Sequence, residues 1–199
     1  MVDGTADDDK LNGSEDVDII AGGDGNDHLD GYGGDDILNG GAGKDKLTAG
    51  TGNDTLSGGD GNDLLKAGQG DDQLNGGARN DRLHGDAGND TLNGGSGNDK
   101  LYGGDDNNVL DGGTGKDILT GGAGADVFVF GNGSNRDTIT DFEDGVDLMD
   151  FSGDASIASL ADLSISQNGT DVVISHGGPD QVTLQNMDVA DIDATDFIF

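Results

Sequence analysis

The chain has 199 residues, with 41 Asp and Glu against nine Lys and Arg for a formal charge of -32, and 40 glycines against one proline. That composition excludes collagen and disfavours long helices, and the absence of cysteine removes disulfides and thiolate metal sites. Nine basic residues spread through an acidic chain make no basic track, so nucleic acid is not an expected partner.

The first twenty residues carry acid where a secretory signal peptide would be basic and then apolar, and no apolar run is long enough to span a bilayer. Neither Sec export nor membrane insertion is therefore expected. From Gly4 to Val129 a nine-residue pattern then recurs fourteen times without insertion or deletion, with copies starting at residues 4, 13, 22 and onward to 121. The stretch Gly58 to Lys66, GGDGNDLLK, represents it. The eighth position is always apolar: Leu11, Ile20, Leu29, Leu38, Leu47, Leu56, Leu65, Leu74, Leu83, Leu92, Leu101, Leu110, Leu119 and Phe128. The sixth is aspartate in thirteen copies and Asn108 in the other; glycine fills the first position in twelve copies and the second and fourth in ten each.

Of the acidic residues only Glu15 and Glu143 are glutamate, a bias that solubility does not require. Aspartate suits turns and holds its carboxylate near the backbone, where carbonyl oxygens can join it around one cation. Scattered aspartates such as Asp24, Asp60 and Asp111 read as a solvated face. The last three residues of a copy, such as Leu64-Leu65-Lys66, allow only a very short strand. With two copies per coil, Leu11, Leu29, Leu47, Leu65, Leu83, Leu101 and Leu119 stack in one parallel sheet, the other seven face them, and seven coils give a rod roughly 30 to 35 Å long. Fourteen apolar side chains make a small core for so long an array, and carboxylates recurring at one coil's spacing repel unless a cation lies between them. Calcium is thus expected as a structural component.

The glycine-aspartate nonapeptide resembles the RTX family of secreted bacterial proteins over about two thirds of the chain. The resemblance implies an all-β fold, a right-handed parallel β-roll of two facing sheets. It also implies metal ligands at Asp9, Asp18, Asp27, Asp36, Asp45, Asp54, Asp63, Asp72, Asp81, Asp90, Asp99, Asp117 and Asp126, joined by carbonyls from the first four loop positions. Aspartates eighteen apart, such as Asp63 and Asp81, would flank one Ca2+ ion; ten such pairs keep both aspartates, and ten ions would bring the charge from -32 to -12. The pairs Asp27 with Asp45, Asp45 with Asp63, Asp54 with Asp72 and Asp99 with Asp117 have the most regular loops. Thr5, Asp7, Ser14 and Asp16 make the first two copies a frayed or capping end, and Arg79, Asp106 and Asn108 weaken their own loops. Magnesium demands tighter octahedral geometry, and His28, His84 and His176 are too dispersed for zinc, so each reads as a surface residue.

Residues 1–129 are expected to form the roll and residues 130–199 a C-terminal β cap. Asp137 to Phe142 and Gly145 to Phe151 alternate polar and apolar, similar to the cap after the roll in serralysin-type proteases and related lipases. Leu163 to Gln167 and Thr170 to Ile174 read as a hairpin turning at Asn168-Gly169, and a Gly177-Gly178-Pro179 turn leads to Val182 to Leu184. The terminal Asp196-Phe197-Ile198-Phe199 looks like the signal of RTX substrates of the type I secretion apparatus, and equally like a closing strand. The resulting expectation is a secreted, extracellular, non-catalytic module that folds on calcium. No HExxH or GxSxG motif is present, so any protease, lipase or epimerase activity would belong to an upstream domain. The outward seventh positions, Lys10, Ile19, His28, Ile37, Lys46, Thr55 and Leu64, form no threonine array of the kind an ice-binding or adhesive rod presents. A polysaccharide or surface partner stays open.

Overall fold

The computed structural model describes residues 1–176 and 178–199. Each repeat supplies one strand to one of two sheets, and successive repeats alternate between them. The first sheet runs in order through Val2–Asp3, Ile19–Asp24, Ile37–Ala42, Thr55–Asp60, Gln73–Ala78, Thr91–Gly97, Val109–Asp111, Val127–Val129, Leu148–Asp150 and Phe197–Ile198. The second begins at Lys10–Ser14 and passes through His28–Gly33, Lys46–Thr51, Leu64–Gln69, Arg82–Ala87, Lys100–Asp105, Ile118–Gly122, Arg136–Ile139 and Gln181–Leu184. Every pairing among these strands is parallel, and in the repeats the register is one coil of eighteen residues, as in Leu47↔Leu65 and Leu65↔Leu83. This is the parallel β-roll that the period implies.

Most of the repeat strands are longer than three residues. Leu64–Gln69 continues past Lys66 into the next copy, because the chain turns a corner at the buried first-position residue Ala67 and resumes pairing at Gly68. Leucines at the eighth position point inward from both sheets and form one continuous core; Leu11, at the open N-terminal end, is only partly buried. The sheets also outlast the sequence period. Arg136–Ile139 and Leu148–Asp150 pair in parallel on the last repeat strands, and Ile139 and Met149 extend the leucine stack.

Beyond them Ser164–Asn168 and Asp171–Ser175 form an antiparallel hairpin on the second sheet. Its turn is one residue later than the Asn-Gly signal predicts: Asn168 pairs with Asp171, leaving Gly169 (φ +69°) and Thr170 as the central residues. In the predicted glycine-proline turn Gly177 lies outside the described residues, and the strand after it is Gln181–Leu184. His176 is not on the surface. It is 1 % exposed, packed against Phe151 and Phe130, with Nε2 3.4 Å from Ser134 Oγ. Nor are the basic residues evenly spread. Lys10, Lys46, Lys66, Arg82 and Lys100 fall at alternate positions on one outward face, that of the second sheet, where Arg82 and His84 stack on Tyr102.

Candidate metal centre

The loops between strands stack as regularly as the strands, and their sixth-position aspartates are buried. From Asp27 onward the repeat aspartates are 1 to 3 % exposed. Each uses one carboxylate oxygen in the same way, accepting a hydrogen bond from the backbone N–H of the equivalent residue one coil earlier. The Asp45 N–H donates to Asp63 Oδ1 at 2.8 Å, and the Asp63 N–H to Asp81 Oδ1 at 2.8 Å. Asp54, Asp72 and Asp90 repeat this on the opposite edge. Aspartates eighteen apart are therefore spatial neighbours, as expected, but half of each carboxylate already serves the backbone.

A second ladder runs in the reverse direction at the fifth position. There the backbone N–H donates to the side-chain oxygen of the coil before it, as from Asn53 to Asp35, Asp71 to Asn53 and Asn89 to Asp71 at 2.8 to 2.9 Å. The two ladders pull each loop toward both neighbours. Sequence reasoning missed the fifth position, although its run of Asn and Asp was visible.

The other carboxylate oxygen is left over. Among the described residues, eleven aspartates from Asp27 through Asp126 have Oδ2 buried with no hydrogen-bond partner. A buried polar atom in that state costs on the order of 1 to 3 kcal/mol, and buried polar groups in folded proteins are ordinarily paired. Its surroundings are oxygen-rich. A Cβ placed on Gly58 would lie 2.6 Å from both Asp63 Oδ2 and the Gly76 carbonyl oxygen of the next coil, so carboxylate and carbonyl close on the same point. At the second position Gly41 has φ +107°, and a Cβ there would run into the Gly23 carbonyl. Glycine permits that backbone and that approach.

Burial pushes the carboxyls from Asp36 onward up. Asp54 and Asp63 rise to about 6, and Asp81, Asp90 and Asp117 to about 7. The ladder N–H opposes the shift and neighbouring aspartates reinforce it, Asp63 and Asp99 doing so for Asp81. Such a site favours either a proton or a cation between its oxygens. Among the described residues no three His, Cys, Asp or Glu side chains gather as a metal cluster, so carbonyls must complete any coordination. Carboxylate plus main-chain carbonyl is the hard-oxygen set that suits calcium, which takes six to eight such ligands in tolerant geometry. It does not suit zinc.

Departures from the pattern are local. Arg79 sits at φ +82° where glycine is usual, yet Asp81 Oδ2 stays open. Asp9 and Asp18 differ: their Oδ2 atoms accept hydrogen bonds from Thr5 and Ser14. Two ladder residues beyond the period were missed. Asp137 Oδ1 accepts from the Asp117 N–H and Asp147 Oδ1 from the Asp126 N–H, both at 2.9 Å, across steps of 20 and 21 residues. Burial, with Asp117 and Asp180 nearby, raises Asp137 to about 8. Asp147 Oδ2 accepts from the Glu143 N–H, which closes that ladder.

Two stacked parallel sheets joined by oxygen-lined turns define a calcium-binding β-roll repeat protein. Seven overlapping stretches, residues 1–29, 12–47, 30–65, 39–74, 66–101, 75–110 and 102–137, match the RTX calcium-binding nonapeptide repeat, and the chain belongs to that family. Its repeat is a structural calcium-binding unit. Similar solved structures include the extracellular lipase LipA from Serratia marcescens, at 21% identity and TM-score 0.48 over 94% of this chain and 39% of that one. The AlgE6R2 subunit of the Azotobacter vinelandii Mannuronan C5-epimerase is 32% identical with TM-score 0.48, over 62% of this chain and 90% of the subunit. The AlgE6R3 subunit is 30% identical with TM-score 0.34, over 68% and 78%. This chain thus spans well under half the length of the lipase. No curated protein matches it.

Proposed function

We propose that this chain is a non-catalytic module whose ladder aspartates, Asp27 through Asp126, hold calcium through their second carboxylate oxygen together with loop carbonyls, and that it folds when calcium is supplied. The observation that carries this is the set of eleven buried Oδ2 atoms without a partner. An array of that many orphaned, charged oxygens is not a stable end state by itself. A cation bound only by the folded chain contributes its binding free energy to folding. At one ion per open oxygen the array would take eleven, close to the ten counted from aspartate pairs, and most of the -32 charge would be neutralised.

The same linkage supports a secreted role. Where free calcium is scarce the acidic chain stays extended and can pass a type I export channel; outside, at higher calcium, it folds. The C-terminal Phe197–Ile198 is docked as a strand against Leu148–Asp150, the closing role weighed alongside an export signal. Circular dichroism tests the reading: β signal should appear on adding calcium and vanish in chelator. Equal β content in both would overturn it.

A further inference from the structure

In three of the fourteen loops the side-chain position that is left without a partner in the other eleven makes hydrogen bonds. In the first copy the Thr5 backbone N–H and Oγ1 both donate to Asp9 Oδ2, at 2.6 and 2.9 Å. In the second, the Ser14 N–H and Oγ do the same to Asp18 Oδ2, at 2.7 and 2.9 Å. Their backbone explains the difference. Thr5 and Ser14 lack the positive φ that the second position adopts in later copies, at Gly23 and Gly41 for example, and even at Tyr32 and Asp86. With φ negative the N–H turns onto the carboxylate and the hydroxyl adds a second donor.

The twelfth copy reaches the same end by reversing the side chain's polarity. Asn108 Oδ1 accepts from the Asp90 N–H at 2.9 Å, keeping the ladder and fixing which way the amide faces. Its Nδ2 thereby takes the place of an open Oδ2 and donates to the carbonyls of Asp105 and Asp106, each at 3.2 Å. An uncharged amide thus satisfies loop carbonyls from the side-chain position where an aspartate would add another acceptor. Irregular sequence alone does not do this. The loops with Tyr32, Arg79 and Asp86 also depart from glycine, yet Asp36, Asp81 and Asp90 keep an unpartnered Oδ2.

We infer that copies one, two and twelve are plugged rungs, in which Thr5, Ser14 and the Asn108 amide stand in for the cation, so that these loops close without calcium and take none up. The inference rests on the calcium reading proposed above. Its consequence is spatial. The N-terminal end of the rod is a metal-independent cap, and one edge is divided into an open run from Asp36 to Asp90 and a separate site at Asp126.

Native mass spectrometry and isothermal titration at saturating calcium test it by counting ions per chain. Asn108→Asp should gain one ion over the parent, and Thr5→Gly/Asp7→Gly, which restores glycine at both loop positions, should also gain one. In the calcium-loaded parent the Asn108 side-chain amide protons should exchange slowly with solvent. Should Asn108→Asp fail to fold even with calcium, the Thr5→Gly/Asp7→Gly count decides. Folded variants that bind no additional ion, while the parent binds calcium normally, would overturn the plugged-rung assignment and leave the calcium-binding reading intact. A parent that binds no calcium would overturn both.

Discussion

The backbone N–H of Asp63 donates to Asp81 Oδ1 at 2.8 Å, while Asp81 Oδ2 is buried with no partner. One carboxylate therefore pins a neighbouring coil with one oxygen and faces the loop interior with the other. The two roles separate by substitution. Asp81→Asn keeps the ladder acceptor and removes a charge, so the metal-free chain should become more stable while the calcium count falls by one. Asp81→Ala loses both roles and strands the Asp63 N–H, costing about 1 to 3 kcal/mol. Thermal melts in chelator and in calcium distinguish the two.

Acidity should substitute in part for calcium. Asp81, Asp90 and Asp117 rise to about 7 in the folded chain from an ordinary value of 3.8. Between those values the folded state binds more protons than the unfolded state, so stability falls as pH rises. Their contribution is complete below the ordinary carboxyl value and is lost as pH climbs through about 7. In chelator, β signal should be strongest near about pH 4 and decline toward about pH 8. Calcium should flatten that profile, and its uptake near neutrality should release protons. A metal-free β signal that rises with pH would contradict this.

Two glycines in adjoining copies should respond differently to alanine. Gly68 has φ +125°, and a Cβ on it would collide with the Gly50 carbonyl of the coil beneath. Gly68→Ala should cost about 1 to 3 kcal/mol at saturating calcium. Gly58, at the first position, has a built-in precedent, since Ala49 and Ala67 occupy the same place in copies six and eight and are buried. Gly58 has no positive φ, so Gly58→Ala should cost less than Gly68→Ala, its cost lying in the shift of Asp63 Oδ2 and the Gly76 carbonyl, each 2.6 Å from the added Cβ. Denaturant melts of the two variants check the contrast.

Damage to the C-terminal strand should stay at its own end. Phe197 pairs with Met149, lies 6.1 Å from Phe151 and is 8 % exposed. Phe197→Ala should destabilise the terminal coils by about 3 to 5 kcal/mol. A stacked array communicates mainly between neighbouring coils, so hydrogen exchange should accelerate around Met149 and Phe151 and remain unchanged near Leu65.

The roll was legible because its two strictest constraints, an inward apolar side chain and a buried carboxylate, recur at fixed phase. Leu65 and Asp63 announce their roles by repetition. The fifth-position ladder was harder to read, because Asn53 and Asp71 look like ordinary turn residues until stacking puts each beside the next coil's N–H. Asp137 and Asp147 escaped because two and three extra residues shift them off the nine-residue grid. The signal was local likeness: Asp137-Thr-Ile-Thr echoes Asp117-Ile-Leu-Thr, and Asp147-Leu-Met echoes Asp126-Val-Phe. The buried His176 left no periodic trace, since its Phe130 and Phe151 neighbours come from separate segments.

Uniform rungs carry a hazard of mis-threading. Displacing part of the chain by one full coil still sets leucine over leucine and aspartate over aspartate, so a growing end meets several alignments of nearly equal merit. The Thr5, Ser14 and Asn108 hydrogen bonds stay within their own copies and would survive such a shift, whereas Asp137 and Asp147 pair with Asp117 and Asp126 across steps of 20 and 21 residues. Those off-grid steps give the last coils a spacing that no pair of coils within the repeats shares.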